Sequence, residues 1–417
     1  MLNQPEAKTE LYYHRHADET IRKLSSMFGA VLVTGARQVG KTTLLKEVAA
    51  NARYVSLDDR IQLTSAREQA TTFFRDNPPP VFVDEVQYAP NLFPQIKLIL
   101  DQKKLKGQFC LSGSQQFEMM RNVTESLAGR LGILVLPGLS LRELCGTQCR
   151  LPFLPTDEYF AERSKDLTRV SYSDVWNVIH RGSFPELCAN PDFDWQMFYA
   201  AYVSTYIERD VRALAQVGDE VKFHQFMTVT ASRTGQLLNV ASIARDVGIS
   251  QPTAERWLSV LATSNLVYLL RPYHNSITKR TVKTPKLYFL DTGLAAYLTR
   301  WTTSDVLKAG AMAGAFFETF VIAEVIKGYR NRGVLDLPVY FSRDRDGNEI
   351  DLLIEDSGTL YPIEIKKHAD PVRSDIATFS ILDKLPNTKR GPGGVVCLVD
   401  RLTTLLGTDK AIPVDML

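Results

Sequence analysis

Apolar and polar positions change period several times along this chain. From residue 30 to 140, short apolar runs that suit buried strands alternate with helix-forming stretches; Val31–Val33 and Val81–Val83 are two such runs. That alternation predicts an α/β fold, with a parallel sheet and helices on both faces. Residues 151–225 read as helical, with "RGSFPEL" as an internal turn. Next, Asn239 caps a short helix that turns Val240, Ile243 and Val247 inward, and Gly248 ends it. Ser250 caps a second helix with Pro252 in its first turn and Trp257, Leu258 and Leu261 on one face. "LVYLL" follows as a strand, so the order is that of a helix-turn-helix with a wing.

Towards the end the period becomes two. "YFSRDRDGNEIDLLIEDSGTLYPIEIKKH" reads as three strands with turns at Asp346-Gly347 and Ser357-Gly358. Pro362 counts mildly against the last being a central strand, the alternative being that it marks where pairing begins. A helix precedes them, "GAFFETFVIAEVIKGYR", where Glu318 shares a face with Gly314, Val321, Ile322 and Val325. The pattern divides the chain into a first α/β part (1–150), a helical linker or lid (151–225), a winged-helix part (226–285) and a C-terminal α/β part (286–417).

Bulk properties narrow the class. The 417 residues exceed one ordinary core, and 45% apolar with 23% charged residues is a globular balance. A net charge of +2 gives no whole-protein argument for a nucleic-acid partner, so any basic surface must be local. Cys110, Cys145, Cys149, Cys188 and Cys397 are too few for a disulfide framework and complete no zinc pattern. The first ten residues are polar, and the longest apolar run, Gly132 to Leu141, is interrupted by Pro137. No membrane segment and a cytoplasmic location are expected.

The front of the chain carries a phosphate-binding pattern. "GARQVGKT", Gly35 through Ala36, Arg37, Gln38, Val39 and Gly40 to Lys41 and Thr42, stands between a strand and a helix, with Thr43 next. Its backbone N–H groups suit ATP phosphates, Lys41 the β- and γ-phosphates, and the Thr42 hydroxyl Mg²⁺. "VFVDEVQ" ends an apolar strand on two acids: Asp84 for Mg²⁺ and Glu85 to polarise the attacking water. Ser114 and Gln115 follow the next strand and can sense the γ-phosphate; a simple turn is the alternative. Arg37 and Arg130 could contact phosphate, against the plainer reading of surface ion pairs. Glu208, Arg209 and Asp210 read as a solvated helix face.

Between 271 and 290, Arg271, Lys279, Arg280, Lys283 and Lys286 occur without an acid. A basic wing beside a neutral second helix suits contact with a DNA backbone better than base readout. A winged helix packed on the ATPase as a lid is the alternative.

At the back, alternation sets Asp351 opposite Ile350 and Leu352, and Glu364 with Lys366 opposite Ile363 and Ile365. Neighbouring strands lie about 5 Å apart, so Asp351 and Glu364 can converge on one cation. Glu318 on a mostly apolar helix face needs a partner or a metal. The order helix-Glu, Asp, then Glu-x-Lys resembles the PD-(D/E)xK nuclease core. The resemblance implies Asp351 and Glu364 holding Mg²⁺ or Mn²⁺, Glu318 supporting the metal, and Lys366 serving the attacking water or the phosphate. The Ile365 carbonyl, Glu349 and His368 could assist. A solvated strand face, or an inert nuclease-like fold, is the alternative.

"GARQVGKTTLL", "VFVDEVQYAPNLFPQIK", "LSGSQQF", "SLAGRLGILVLPGLSLREL" and "YIERDVRAL", in that order, resemble the prokaryotic AAA+-type ATPases that carry a C-terminal domain of unknown function. The expected activity is ATP binding and hydrolysis coupled to DNA engagement, with metal-dependent cleavage at the back. Two alternatives stay open: a nucleotide-driven switch that recruits a protein partner through inert C-terminal parts, and a winged-helix transcription regulator.

Overall fold

The computed structural model describes residues 12–114, 127–205, 219–273, 284–343, 347–384 and 388–417. Strands β1 (Ala30–Thr34), β2 (Arg53–Ser56), β3 (Val81–Asp84), β4 (Phe109–Gly113) and β5 (Leu131–Val135) form a parallel sheet in the order β2-β3-β4-β1-β5. β1, β3 and β4 are buried along their whole length, which is why they read as unbroken apolar runs. β4 lies between β1 and β3. The C-terminal ends of the three therefore sit side by side and bring the glycine loop, Ser112 and Asp84 together. Helices α1 (Ala17–Met27) and α2 (Lys41–Val48) cover one face.

The middle of the chain contains α3 (Glu220–Ala231), β6 (Gln236–Leu237), α4 (Val240–Val247), α5 (Gln251–Thr263), β7 (Val267–Leu270) and β8 (Lys286–Phe289). Asn239 and Ser250 cap α4 and α5 by accepting from the Ser242 and Thr253 amides, and Gly248 ends α4 at φ +72°. The strands form an antiparallel sheet, β6-β8-β7. β8, which opens just after residue 285, pairs with both β6 and β7.

The C-terminal part opens with α6 (Ala313–Asn331) and continues through β9 (Val339–Arg343), β10 (Glu349–Asp356) and β11 (Thr359–Ile365). A run of 3₁₀ turns (Arg373–Lys384) leads to β12 (Lys389–Arg390), β13 (Gly394–Cys397), β14 (Thr403–Leu406) and β15 (Asp409–Pro413). The sheet order is β14-β15-β13-β11-β10-β9, with β12 also on β11. Pro362 thus sits inside a central strand, against expectation. Its place explains this: β12 pairs Thr359 and Leu360, β13 pairs Ile363 to Ile365, and Pro362 occupies the gap between them, where no N–H is needed.

One apolar core runs through all of these parts. It joins Val31 and Leu134 of the first sheet, Trp176 and Tyr199 of the helical segment, Trp257 of α5, Phe320 and Val325 of α6, and Ile363 and Met416 beyond. α6 is buried along most of its length and packs on β5, β8 and β11. Its Glu324 and Lys327 form a buried pair at 2.7 Å. Glu324 accepts from the Leu141 amide at 2.8 Å, and Lys327 donates to the Leu139 carbonyl at 2.9 Å. Asp291 joins the helical segment to the strand region by accepting from Ser183 and Tyr199. No helix among the described residues is long and apolar enough to cross a membrane, and none of the five cysteines is in a disulfide.

Candidate functional site

The glycine loop joins β1 to α2. Gly35 has φ +141°, and a Cβ there would run into the Leu136 carbonyl; Gly40 has φ +88°. Only glycine suits either place. Between them Ala36 and Val39 are buried, Arg37 is half-buried with its guanidinium 3.4 Å from the Tyr88 hydroxyl, and Gln38 is exposed. Lys41 is buried and donates to the Gly35 and Ala36 carbonyls at 3.1 and 2.8 Å. Thr43 is exposed on the first turn of α2.

Asp84 is a hub. Thr42 donates its hydroxyl to Oδ2 at 2.9 Å, Tyr54 to the same oxygen at 3.1 Å, and Ser112 to Oδ1. Thr42 and Asp84 offer adjacent hard oxygen donors, which fits Mg²⁺, an ion that keeps several of its own waters. Once bound, that ion would neutralise charge on the β- and γ-phosphates. Glu85 stands next, at φ +58°, an uncommon backbone region for a residue with a side chain. Burial raises its carboxyl above the usual range, opposed by the Gln87 amide that donates to it and by Lys41. A more basic carboxylate beside the loop is suited to polarising water. Gln87 also reaches Ser114, at 3.5 Å, at the end of β4. Gln115 lies outside the described residues.

Arg130 is not part of this centre. It precedes β5, at the N-terminal end of the parallel strands and so at the end of the sheet away from the glycine loop, and pairs with Asp101 at 2.5 Å. Sequence reasoning also missed the arginine that does support the loop. Arg15 donates to the Val39 and Pro137 carbonyls, each at 2.7 Å, and to Glu143 at 3.0 Å. Glu143 is itself the closing member of a capping box with Ser140. Ser140-x-x-Glu143 could have been read as a helix start; nothing in "YYHRHADET" marks Arg15.

At the back, Glu318, Asp351, Glu364 and Lys366 do come together. The β10–β11 register pairs Leu352 with Ile363, so Asp351 and Glu364 stand one step further on. Ile365 donates its amide to Asp351 at 2.9 Å, and Lys366 its ammonium to Glu364 at 2.7 Å. Burial and the neighbouring Glu318 and Glu364 push the Asp351 carboxyl well above the usual range. Yet Lys286 sits among them, 2.9 Å from Glu318 and paired with Glu349. Among the described residues no three acid, His or Cys side chains are arranged to hold a metal. The arrangement therefore does not fit the expected Mg²⁺ or Mn²⁺ site. His368 is exposed.

Lys286 also leaves the expected basic wing, being 4% exposed. Arg271 is exposed, whereas Lys279, Arg280 and Lys283 lie outside the described residues, as do Glu208, Arg209 and Asp210.

Residues 28–145 match a family model described as an AAA domain. Residues 172–305 and 313–417 each match a domain of unknown function, DUF8612 and DUF4143. The uncharacterized protein Rv2008c of Mycobacterium tuberculosis is 28% identical over 377 residues, 89% of this chain and 78% of that protein. The same figures hold for the uncharacterized protein Mb2031c of Mycobacterium bovis. Among solved structures, the Walker-type ATPase PABY2304 of Pyrococcus abyssi is similar at 14% identity and a TM-score of 0.44, over 71% of this chain and 98% of that one. The Thermotoga maritima RuvB Holliday junction branch migration motor is similar at 13% identity and a TM-score of 0.31, over 62% and 90%. The AAA-domain match falls on the sheet that sets a glycine loop beside Asp84 and Glu85 and supports a prokaryotic P-loop ATPase, with a domain of unknown function at the C-terminal end.

Proposed function

We propose that this protein hydrolyses ATP and couples turnover to engagement of DNA. The loop amides and Lys41 would hold the triphosphate, Thr42 and Asp84 would hold Mg²⁺, and Glu85 would orient water against the γ-phosphate. Ser112 and Tyr54 keep Asp84 in place from both of its oxygens.

The observation that carries the DNA reading is element order. α3, β6, α4, α5, β7 and β8 follow one another as in a winged helix. α5 leaves Gln251, Glu255, Arg256 and Ser259 exposed on its outer face. This unit is well placed to respond to the nucleotide. A cavity of about 990 Å³ is lined by Ala36 and Val39 of the glycine loop, by Tyr268 and Leu269 of β7, and by Ile326 of α6. The glycine loop and the three-stranded sheet thus face each other across one cavity.

The test is ATP turnover with and without duplex DNA, alongside DNA binding at low salt in ATP and ADP. DNA-stimulated turnover that Lys41→Ala removes supports the proposal. Turnover indifferent to DNA, with no DNA binding in either nucleotide, would sink it and favour a switch that recruits a protein. Cleavage is left out of the proposal, because the rear carboxylates do not form a metal cage in this arrangement.

A further inference from the structure

Lys286 was singled out in the sequence as a wing residue, and the fold puts it to a different use. It opens β8, paired with Leu237 of β6 and Leu270 of β7. From there its side chain enters the C-terminal part. Four carboxylates surround that point: Glu318 from α6, Glu349 and Asp351 from β10, and Glu364 from β11. The Lys286 ammonium bonds Glu318 Oε1 at 2.9 Å, pairs with Glu349, and lies 3.9 Å from Asp351 Oδ1. Tyr288, two residues along the same strand, donates its hydroxyl to the same Glu318 oxygen at 2.6 Å. The Phe341 ring lies 5.7 Å from the ammonium.

One acceptor is left over. Glu364 is 8% exposed, and its Oε2 is buried with no hydrogen-bond partner among the described residues. Its other oxygen takes Lys366. A buried carboxylate oxygen without a donor is costly. An ammonium has three donors and one charge, so Lys286 cannot serve every oxygen here. A hard divalent cation carries twice the charge and takes six or more oxygen ligands. Arg343 also reaches Glu349, at 3.6 Å, so three cations face four carboxyl groups, of which burial and neighbouring carboxylates push Asp351 and Glu364 above their ordinary range. Burial pulls the Lys286 ammonium down, but Glu318, Asp351 and Glu349 together raise it above its ordinary value, so it stays charged.

We propose that Lys286 is the built-in cation of this cluster: its ammonium fills the place of a divalent ion, and the cluster takes up Mn²⁺ only when Lys286 is removed or withdrawn. Because β8 is the central strand of the three-stranded sheet, the strand that would have to move is part of the winged-helix-like unit. The inference is independent of the ATPase and DNA reading, since the occupant of the cluster can be determined with neither nucleotide nor DNA present.

The experiment is a Mn²⁺ titration of the nucleotide-free 417-residue chain, read by electron paramagnetic resonance of the free ion. Lys286→Met keeps an unbranched apolar stem one atom shorter and removes the charge. Its affinity for Mn²⁺ is expected to exceed that of the wild type by at least ~10-fold, given the strength of like-charge repulsion at such short range. Adding Glu364→Gln should abolish the gain, which assigns it to the cluster. A folded Lys286→Met that binds Mn²⁺ no better than the wild type overturns the proposal. If Lys286→Met does not fold even with Mn²⁺, amine acylation of the wild type, read by mass spectrometry during the same titration, decides. Labelling of Lys286 that rises with Mn²⁺ occupancy supports the proposal, as does protection with no ion bound. Mn²⁺ held in a Glu364-dependent way while Lys286 stays protected overturns it.

Discussion

Arg15 and Glu143, 128 residues apart, form a buried ion pair behind the glycine loop, with Nε 3.0 Å from Oε1. The same guanidinium holds the Val39 and Pro137 carbonyls, so the shape of the loop depends on a pair buried behind it.

The pair makes stability depend on pH. Burial alone would raise the Glu143 carboxyl, but Arg15, His16 and the backbone amides of Ser140 and His16 outweigh it and hold it at about 2. A folded value below the ordinary 4.5 means that the stabilisation is complete above about pH 4.5 and is lost as the pH falls towards 2. The shift corresponds to on the order of 3 kcal/mol. Urea unfolding should show Glu143→Gln less stable than the wild type at pH 6, with the difference shrinking by pH 3. A gap that stays constant would refute this.

Lys41 and Glu85 should separate binding from chemistry. Lys41→Ala is expected to lose nucleotide binding. Glu85→Gln should still bind ATP while its turnover falls by about 10²–10⁴, the usual range for removing a general base. Equilibrium binding of a fluorescent ATP analogue beside steady-state phosphate release reads both. Wild-type turnover in Glu85→Gln would remove the assigned role.

Glu324 and Lys327 fasten α6 to the segment after β5. Removing one member strands the other in the core, so Glu324→Ala should cost about 3–5 kcal/mol. Replacing both by apolar residues of similar size should cost much less. Urea midpoints of the two variants check the contrast, and equal losses would contradict it.

Neutralising Lys279, Arg280 and Lys283 together should weaken DNA binding and flatten its salt dependence. If all three meet phosphate, the slope of log affinity against log salt should fall by roughly 2.7, about 0.9 per contact. Titrations at four salt concentrations measure it; an unaltered slope would place DNA elsewhere.

Local features were readable because each rests on neighbouring residues. The glycine loop, the caps at Asn239 and Ser250, the stop at Gly248 and the alternation that aligns Asp351 with Glu364 all follow from short-range rules. What escaped depends on partners far along the chain. Arg15 finds Glu143 only through the fold. Lys286 looks like part of a basic wing until β8 turns it towards α6 and β10. Arg130 could be weighed as a phosphate ligand or, more plainly, a surface ion pair, and the parallel sheet decides for the ion pair by setting it at the end away from the loop. Pro362 looks misplaced in a central strand until β12 and β13 leave a gap for it.

Because α6 is walled in by β5 on one side and β11 on the other, it belongs to neither sheet alone. A recombination that exchanged the last third of this gene would also rebuild the surroundings of the nucleotide loop. The two ends then act as one packing unit, and an altered residue at one is open to correction by a change at the other.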